Sequence, residues 1–481
     1  MSFGQTACAV AGLVTVAVMI GVTVPFSLWL QVVAVTLVAT IGPVVLVRHL
    51  NAPAAGMRLL LVSAVLMPVE IVAGDATATG PGGTFSLCFL LTAFLIGTWL
   101  LRSLVVRRAI RIDASSITVI TLIFMAVAVL SFVVGQYPWF PTDGAPMRAQ
   151  LGGLSLFLLS GGVLLIIAHE TRSLAHLAQL TAWFIGLGGL TVASMLVPGT
   201  QFAYGQIKVL THGSIGSLFF VWLVAMSAAQ GLWNTNLRPA LRAVALAIAA
   251  LVLFRGVFLT SSWVSGWLPP VIALGVLLVF RFPRLVTMSA LVLSVPTILA
   301  AGLLWERLMA NESWSWMTRV EALRVMEQIV LREPLLGLGP ANYHFYTYLY
   351  PLLGYHIVFN SHNNYIDLLA QSGVVGLLVF CWLAFEVLRL AYRLFRSSGD
   401  GFSRAYAAGT FAGVVASLVA GFLADWIVPF VYNVGIAGFR SSLLFWFFIG
   451  GLVVLRRFTI AATASESIVP VRQPRLAVSR A

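Results

Sequence analysis

Charged side chains are scarce in this sequence. Only 9% of the 481 residues are Asp, Glu, Lys or Arg, whereas 60% belong to the hydrophobic set. A soluble globular domain is about one quarter charged, so the composition excludes a soluble enzyme and a disordered chain. Cysteine is nearly absent too. The three cysteines lie in apolar runs without C-x-x-C spacing, which argues against a disulfide framework or a zinc site.

Long apolar runs take the place of the missing charges. Crossing a hydrocarbon core of about 30 Å takes roughly 20 apolar residues, and fourteen runs approach that length. The sequence therefore predicts an all-α polytopic integral membrane protein with about 12–14 transmembrane helices. The runs are 6–24, 26–47, 57–73, 84–101, 117–135, 151–168, 177–197, 214–231, 243–260, 264–280, 285–304, 364–385, 404–427 and 441–456.

The basic residues are distributed unevenly between the two sides of the predicted bundle. With the N-terminus in the cytoplasm, 20 of the 28 Lys and Arg residues fall in cytoplasmic segments, seven fall in outer segments, and Arg255 lies inside a span. Cytoplasmic loops carry an excess of Lys and Arg, so we expect both termini in the cytoplasm. This bias accounts for the net charge of +13 without a nucleic-acid partner.

One connection is much longer than the others. Residues 305–363 form an outer segment of 59 residues that holds five of the 15 acids and three of the seven histidines. Long ordered loops usually carry function. We therefore divide the chain into a bundle of about eleven spans (1–304), a catalytic loop with short amphipathic helices (305–363), three further spans (364–456) and a basic tail (457–481).

The first part of this loop, residues 316–331, has helical periodicity. An arginine among apolar neighbours needs a partner. Arg319 is therefore either a buried cation for an anionic substrate or a side chain that reaches lipid headgroups or a nearby glutamate. At 100° per residue, Arg319 shares its face with Val320, Ala322, Leu323, Met326 and Val330.

The end of the loop combines aromatic, amide and imidazole side chains. The aromatic stretch from Tyr343 to Tyr355 suits either stacking on sugar rings or the membrane interface. Ser361 or Asn363 can cap the helix of the next span. Between them, His362 is placed for proton transfer at the outer face.

Two further cations lie near the outer side. Arg255 is five residues before the outer end of its span, about 7–8 Å deep. It either reaches up into an outer-facing cavity or is satisfied by backbone carbonyls. Lys208 lies in the outer loop 204–214, where it either contacts substrate or is an ordinary surface charge.

The order of these features resembles the O-antigen ligase / O-antigen polymerase family of bacterial membrane glycosyltransferases. The resemblance rests on Arg319, on the turn PLLGLGP at 334–340, and on the run HNNYIDLLAQSGVVG at 362–376. Two positions depart from the family pattern. Trp263 stands where a second arginine is usual, and Gln371 stands where glutamate is common.

The resemblance implies a metal-independent transfer without a cofactor. A glycan would move from an undecaprenyl-diphosphate carrier to an acceptor at the periplasmic face of the bacterial inner membrane. His362 would be the catalytic base, and Arg319 would bind the donor diphosphate. Arg255, or Lys208, would replace the missing arginine.

The acceptor and its contacts stay open. It is lipid A-core, a protein or another lipid-linked repeat. The chain is therefore either a ligase of lipopolysaccharide biosynthesis or a polymerase of O-antigen or exopolysaccharide. The candidates for contact with glycan or acceptor are Asn363, Tyr365 and Tyr343.

The charges of the loop agree with chemistry that needs no metal. Its five acids are interleaved with arginines at helical spacing and form no D-x-D pair, so arginines are suited to neutralise a departing diphosphate. A lipid-linked oligosaccharide flippase is the alternative from another class. Few midplane charges, one long outer loop and no evident repeat disfavour it.

Overall fold

The computed structural model describes residues 53–65, 70–72, 84–101, 114–196, 216–284, 317–318 and 320–467, with a few isolated positions (103–104, 108, 112 and 287–288). The helices are α1 Pro53–Val65, α2 Leu87–Leu101, α3 Ser116–Val134, α4 Met147–Glu170, α5 Leu174–Leu196, α6 Ser217–Trp233, α7 Pro239–Phe254, α8 Val264–Arg281, α9 320–330, α10 Tyr343–Tyr346, α11 Asn364–Ser397, α12 Phe402–Leu423 and α13 Phe439–Ser467.

The helices confirm the all-α polytopic class. Within the described residues, eight helices are long and apolar enough to cross a membrane, and α1, α2 and α6 are shorter apolar helices. Together they coincide with eleven of the fourteen predicted runs. The other three runs, 6–24, 26–47 and 285–304, lie outside the described residues except for the isolated positions 287 and 288.

The predicted run 57–73 is helical only in its first part. Helix α1 ends at Val65, and strand β1 (Glu70–Val72) pairs antiparallel with strand β2 (Thr84–Ser86). Arg440 explains why the helix can end there. Its guanidinium donates to the carbonyls of Ala64 and Val65, at 2.6 and 2.9 Å. These two bonds satisfy carbonyls that a helix C-terminus leaves free.

The centre of the bundle is formed by α6, α12 and α13. Trp222 on α6 is fully buried and stacks on Phe448 of α13. Gly413 on α12 makes room for this indole, because a Cβ there would lie 2.5 Å from the Trp222 ring. Small residues of this kind let helices approach closely in membranes. Helices α7 and α8 lie at the periphery, where most of their residues are not buried.

Helix α11 is broken at Gly373, whose φ of 66° and ψ of −173° are not helical. In a continuous helix the N–H groups of Val374 and Val375 would bond to the carbonyls of Ala370 and Gln371. The break turns these four backbone groups away from one another. Because α11 is a membrane-spanning helix, where water cannot satisfy these groups, they need other partners.

The turn 334–341 of the loop supplies all four partners. Its carbonyls accept from α11 and its N–H groups donate to α11, so each broken helical bond is replaced by a bond to the loop. The pairs are Val374 N to Pro334 O (2.8 Å), Val375 N to Leu335 O (3.1 Å), Leu338 N to Ala370 O (2.9 Å) and Gly339 N to Gln371 O (3.1 Å).

The buried face of α9 overlaps the predicted apolar face in part, since Ala322, Met326 and Val330 are buried as expected. Val320 and Leu323, expected on the apolar face, are exposed. The expectation for these two residues is wrong because the helix packs against an aromatic cluster that includes Phe140 of the α3–α4 connection and Tyr346 of the loop. The buried face consists of Ala322, Val325, Met326, Ile329 and Val330.

Gly373→Ala should destabilise the whole bundle. A Cβ at Gly373 would lie 2.1 Å from the carbonyl oxygen of Leu335, and the positive φ disfavours any side chain. We expect a loss of about 2–4 kcal/mol in the free energy of unfolding, measured as a lower thermal midpoint in detergent. Gly275→Ala on α8 is the matched control, because a Cβ there meets nothing within 4 Å. Equal midpoints for the two variants would contradict this prediction.

Candidate functional site

His362 lies at the end of the bundle where α11 begins and α12 ends. It is exposed, and its φ of 49° is positive. Asn363 is the N-cap of α11, as predicted, since its side-chain oxygen accepts from the N–H groups of Tyr365 (2.9 Å) and Ile366 (3.3 Å). The Asn363 amide nitrogen also donates to the carbonyl of Phe422 at 3.1 Å. The cap therefore ties His362 to two helices.

A side-chain relay orients the imidazole. Asn433 Nδ2 lies 3.2 Å from His362 Nδ1 and also donates to Asp425 Oδ1. Because an ionised carboxylate only accepts, the nitrogen of the Asn433 amide must face Asp425, and its second N–H points to His362. In this arrangement Nδ1 accepts, and the neutral ring carries its proton on Nε2.

Asp425 is buried in the connection between α12 and α13. Its second oxygen, Oδ2, accepts from the backbone N–H of Phe430 at 2.7 Å. Burial raises the pKa of Asp425 to about 6, although the hydrogen bonds from Phe430 and Asn433 oppose the rise. The carboxyl can therefore change its charge near neutral pH.

A second carboxyl, Asp367 on α11, fixes the segment before His362 from below. Its Oδ1 accepts from the Tyr343 hydroxyl at 2.5 Å and from the Ser361 hydroxyl at 2.6 Å. Burial raises the pKa of Tyr343 well above its usual range, and the negative charges of Asp367 and Asp425 raise it further. The two carboxyls and the phenol therefore form one buried polar cluster beneath His362.

Asn364 holds the α12–α13 connection against the start of α11. Its Nδ2 donates to the carbonyl of Val428 at 2.7 Å, and its Oδ1 accepts from the N–H of Ile427 at 2.6 Å. Since Ile427 and Val428 follow Asp425 in sequence, this clamp sets the position of Asp425 relative to His362.

His344 has a different environment from His362. Its ring stacks on Tyr432 at 4.6 Å, and its Nδ1 lies 2.8 Å from the carbonyl of Phe359. A carbonyl only accepts, so Nδ1 carries the proton. Burial lowers the pKa of His344, which keeps the ring neutral and suits it to a packing role in the loop.

Arg255 begins a π-helical turn at the end of α7. Its guanidinium carbon lies 5.1 Å from the ring centre of Phe220. Phe220 contacts Trp263 at 6.0 Å, and Trp263 contacts Trp426 at 6.2 Å, both between ring centres. Since Trp426 directly follows Asp425, a row of three aromatic rings connects Arg255 with the connection that carries the relay.

The other candidate residues are placed less favourably for contact with substrate, or lie elsewhere. Tyr343 is buried, with its hydroxyl on Asp367. The Tyr365 hydroxyl donates to the carbonyl of Leu418 at 2.7 Å. Both positions, and the capping role of Asn363, favour structural functions. Arg319 and Lys208 lie outside the described residues.

Gln371 has a structural function in the turn. Its Oε1 accepts from the N–H of Ala341 at 3.1 Å, and its Nε2 donates to the carbonyl of Asp367 at 3.3 Å. The amide thus provides an acceptor for the loop and a donor for α11. A carboxylate here would accept from Ala341 but could not donate to Asp367.

The sequence contained a signal for Asp425 that the span prediction concealed. Asp425 fell within the predicted run 404–427, whereas α12 ends at Leu423. An ionisable residue inside an apolar run is a functional candidate by default, and this rule singles out Asp425. Asn433 carried no such signal. Among the described residues, no group of three or more His, Cys, Asp or Glu side chains is arranged to hold a metal ion.

A comparison with known proteins finds a family model that matches part of the chain. Residues 207–381 match the family model described as O-antigen ligase, and no curated protein matches the chain. The matched segment runs from the connection before α6 into α11, so it includes Arg255, Trp263 and His362, whereas Asp425 and Asn433 lie beyond it. This segment, which contains the outer-loop motif, is therefore similar to the O-antigen ligase family.

Proposed function

We propose that the protein transfers a glycan from an undecaprenyl-diphosphate-linked donor to an acceptor at the periplasmic face of the bacterial inner membrane. The observation that carries the proposal is an exposed His362 oriented by Asn433 and Asp425, at the end of a loop that matches the O-antigen ligase family. Of the two activities in the family, we favour transfer to lipid A-core or another non-identical acceptor, which is ligation.

In the proposed reaction an acceptor hydroxyl attacks the anomeric carbon of the donor sugar. The new bond joins the acceptor oxygen to that carbon, and the bond from the carbon to the diphosphate oxygen breaks. The hydroxyl proton moves to Nε2 of His362, and undecaprenyl diphosphate departs with the bonding electron pair. Attack from the side opposite the leaving group inverts the anomeric centre.

A base at Nε2 needs the tautomer with its proton on Nδ1. That proton faces Asn433, so the amide must turn its oxygen towards the ring. The same oxygen then faces Asp425, which must carry a proton to donate to it. Burial raises the pKa of Asp425 to about 6, so this proton is available near neutral pH. Protonation of Asp425 thereby selects the tautomer of His362 that can act as a base.

The departing diphosphate needs positive charge, because its negative charge grows in the transition state. Arg255 supports this part of the proposal. It is half-buried at the end of α7 and connected through aromatic rings to the His362 region. Arg319 and Lys208 stay predictions as additional diphosphate ligands. The planar guanidinium of arginine carries five N–H donors, which makes arginine well suited to bind phosphate oxygens.

Polymerisation of lipid-linked repeat units differs from ligation only in the acceptor. In both reactions a hydroxyl attacks a lipid-linked glycan, so the same His362 chemistry serves either. The two activities are distinguished by which acceptor receives the glycan. A flippase, by contrast, needs no general base, so replacing His362 would not abolish the activity of a flippase.

His362→Ala should abolish transfer while leaving the protein folded. The expected loss is at least about 10²–10⁴-fold in turnover, the usual contribution of a general base. The measurement is a reconstituted assay with a short undecaprenyl-diphosphate oligosaccharide, first alone and then with lipid A-core. Longer lipid-linked glycans without any other acceptor would indicate a polymerase, and product only with lipid A-core would indicate a ligase.

His176→Ala is the control, because His176 lies at the start of α5, outside the loop and the hydrogen-bond relay of His362. It should keep wild-type turnover. Full activity of a well-folded His362→Ala would refute the assignment of the base. Absence of transfer by the folded wild type with every acceptor would refute the proposed function.

The dependence of turnover on pH should show the protonation of Asp425. As pH rises through about 6, the raised pKa of Asp425, this carboxyl loses its proton and the base-competent tautomer of His362 is lost. Turnover should then fall by up to about tenfold per pH unit. Tyr343, Asp367 and Asn433 also face this carboxyl, and of these Asp367 is the one that can shift the midpoint.

Asp425→Asn tests this dependence directly. The new amide donates permanently to the Asn433 oxygen, so the decline above pH 6 should disappear. Turnover in the wild type that rises with pH and then levels off would show that the carboxyl proton has no such role.

A further inference from the structure

An uncharged tip projects from the loop at residues 351–358, with the sequence PLLGYHIV. Its side chains are unusually exposed for their type: 66% of Tyr355, 46% of Ile357 and 52% of Val358 is accessible. Contiguous exposed apolar side chains on a folded surface mark a contact with another apolar phase or partner.

Hydrogen bonds within the loop fix the conformation of the tip. Leu352 and Tyr355 exchange two backbone hydrogen bonds, of 2.9 and 3.0 Å, across a tight turn with positive φ at Leu353 and Gly354. At its base, the Phe359 N–H donates to the Thr347 hydroxyl at 3.1 Å. The projection of Tyr355 and its neighbours therefore follows from the backbone.

The chemistry of the tip favours lipid over carbohydrate. Sugar sites combine aromatic rings with planar polar side chains that bind hydroxyls, and the tip has no Asp, Glu, Asn, Gln or Arg. No residue from 334 to 366 is Asp, Glu, Lys or Arg. The exposed face of α9 differs, because Arg324 and Gln328 are exposed there and Arg324 pairs with Glu321 at 3.0 Å.

The tip is also close to the start of a membrane-spanning helix. Val358 is five residues before Asn363, the N-cap of the membrane-spanning α11, so the two lie within about 18 Å of each other even if the chain between them is fully extended. A tyrosine with neighbouring aliphatic side chains is the composition that prefers the boundary between headgroups and acyl chains.

We propose that residues 351–358 lie in the interface of the outer leaflet, with Tyr355, Ile357 and Val358 among the lipid headgroups and upper acyl chains. Only the purpose of this contact rests on the proposed function. The tip would hold His362 at the depth where the diphosphate of a lipid-linked donor emerges from the bilayer.

Spin labelling of the full-length chain in liposomes tests the proposal. Cys8, Cys88 and Cys381 are replaced by serine or alanine, and a nitroxide is attached at Ile357→Cys or, as a second reading, at Val358→Cys. Gln328→Cys on the polar face of α9 is the matched exposed control. Collision rates with oxygen, which concentrates in lipid, and with a water-soluble nickel chelate are measured without any donor.

We expect the ratio of oxygen to nickel collisions at 357 and 358 to be several-fold higher than at 328. Equal ratios would place the tip in water and overturn the proposal. Protection from both reagents, or protection that appears only when a soluble oligosaccharide is added, would assign the tip to protein or glycan and would also overturn it. Because the labelling requires no transfer, failure of the proposed function leaves its outcome unaffected.

Discussion

The repaired break in α11 is the interaction on which the rest of the loop end depends. A helix interrupted in the bundle exposes backbone groups that lipid and apolar side chains cannot satisfy. Here the turn 334–341 satisfies four of these groups. The same four hydrogen bonds hold the turn in a fixed position, which so short a segment could not keep by itself. Loop and helix therefore stabilise each other, and neither has a complete set of hydrogen bonds without the other.

The position of His362 follows from this constraint. The turn leads into Asn342, which is buried and bonds to the α3–α4 connection through Ala145 and Gly135. One residue later, Tyr343 bonds to Asp367, and Asp367 bonds to Ser361 beside His362. The loop is thus fixed to helices on both sides before it reaches the histidine. An exposed imidazole gains a defined orientation although its immediate backbone lies at the surface.

Sequence patterns predicted the spans that the structure describes and the N-cap of α11, because both depend on local properties, namely apolar length and helical capping. Asn363 is an example, since its preference for the N-cap needs only its neighbours. The relay could not be predicted in this way. Asp425 and Asn433 reach His362 from a connection about 60–70 residues later in the chain, and only tertiary packing brings them together. The exposure of Val320 and Leu323 on α9 could not be predicted for the same reason, because the partner of this helix is an aromatic cluster that the helix sequence does not contain.

The amide between Asp425 and His362 has a consequence for how the buried acid communicates with the surface. A carboxamide neither gains nor loses protons in this pH range, so it cannot pass one from the acid to the imidazole. Asn433 transmits only an orientation. The protonation state of Asp425 determines whether the oxygen or the nitrogen of the Asn433 amide faces the His362 ring. In the proposed reaction, the buried acid therefore sets the orientation of the histidine without exchanging protons with it.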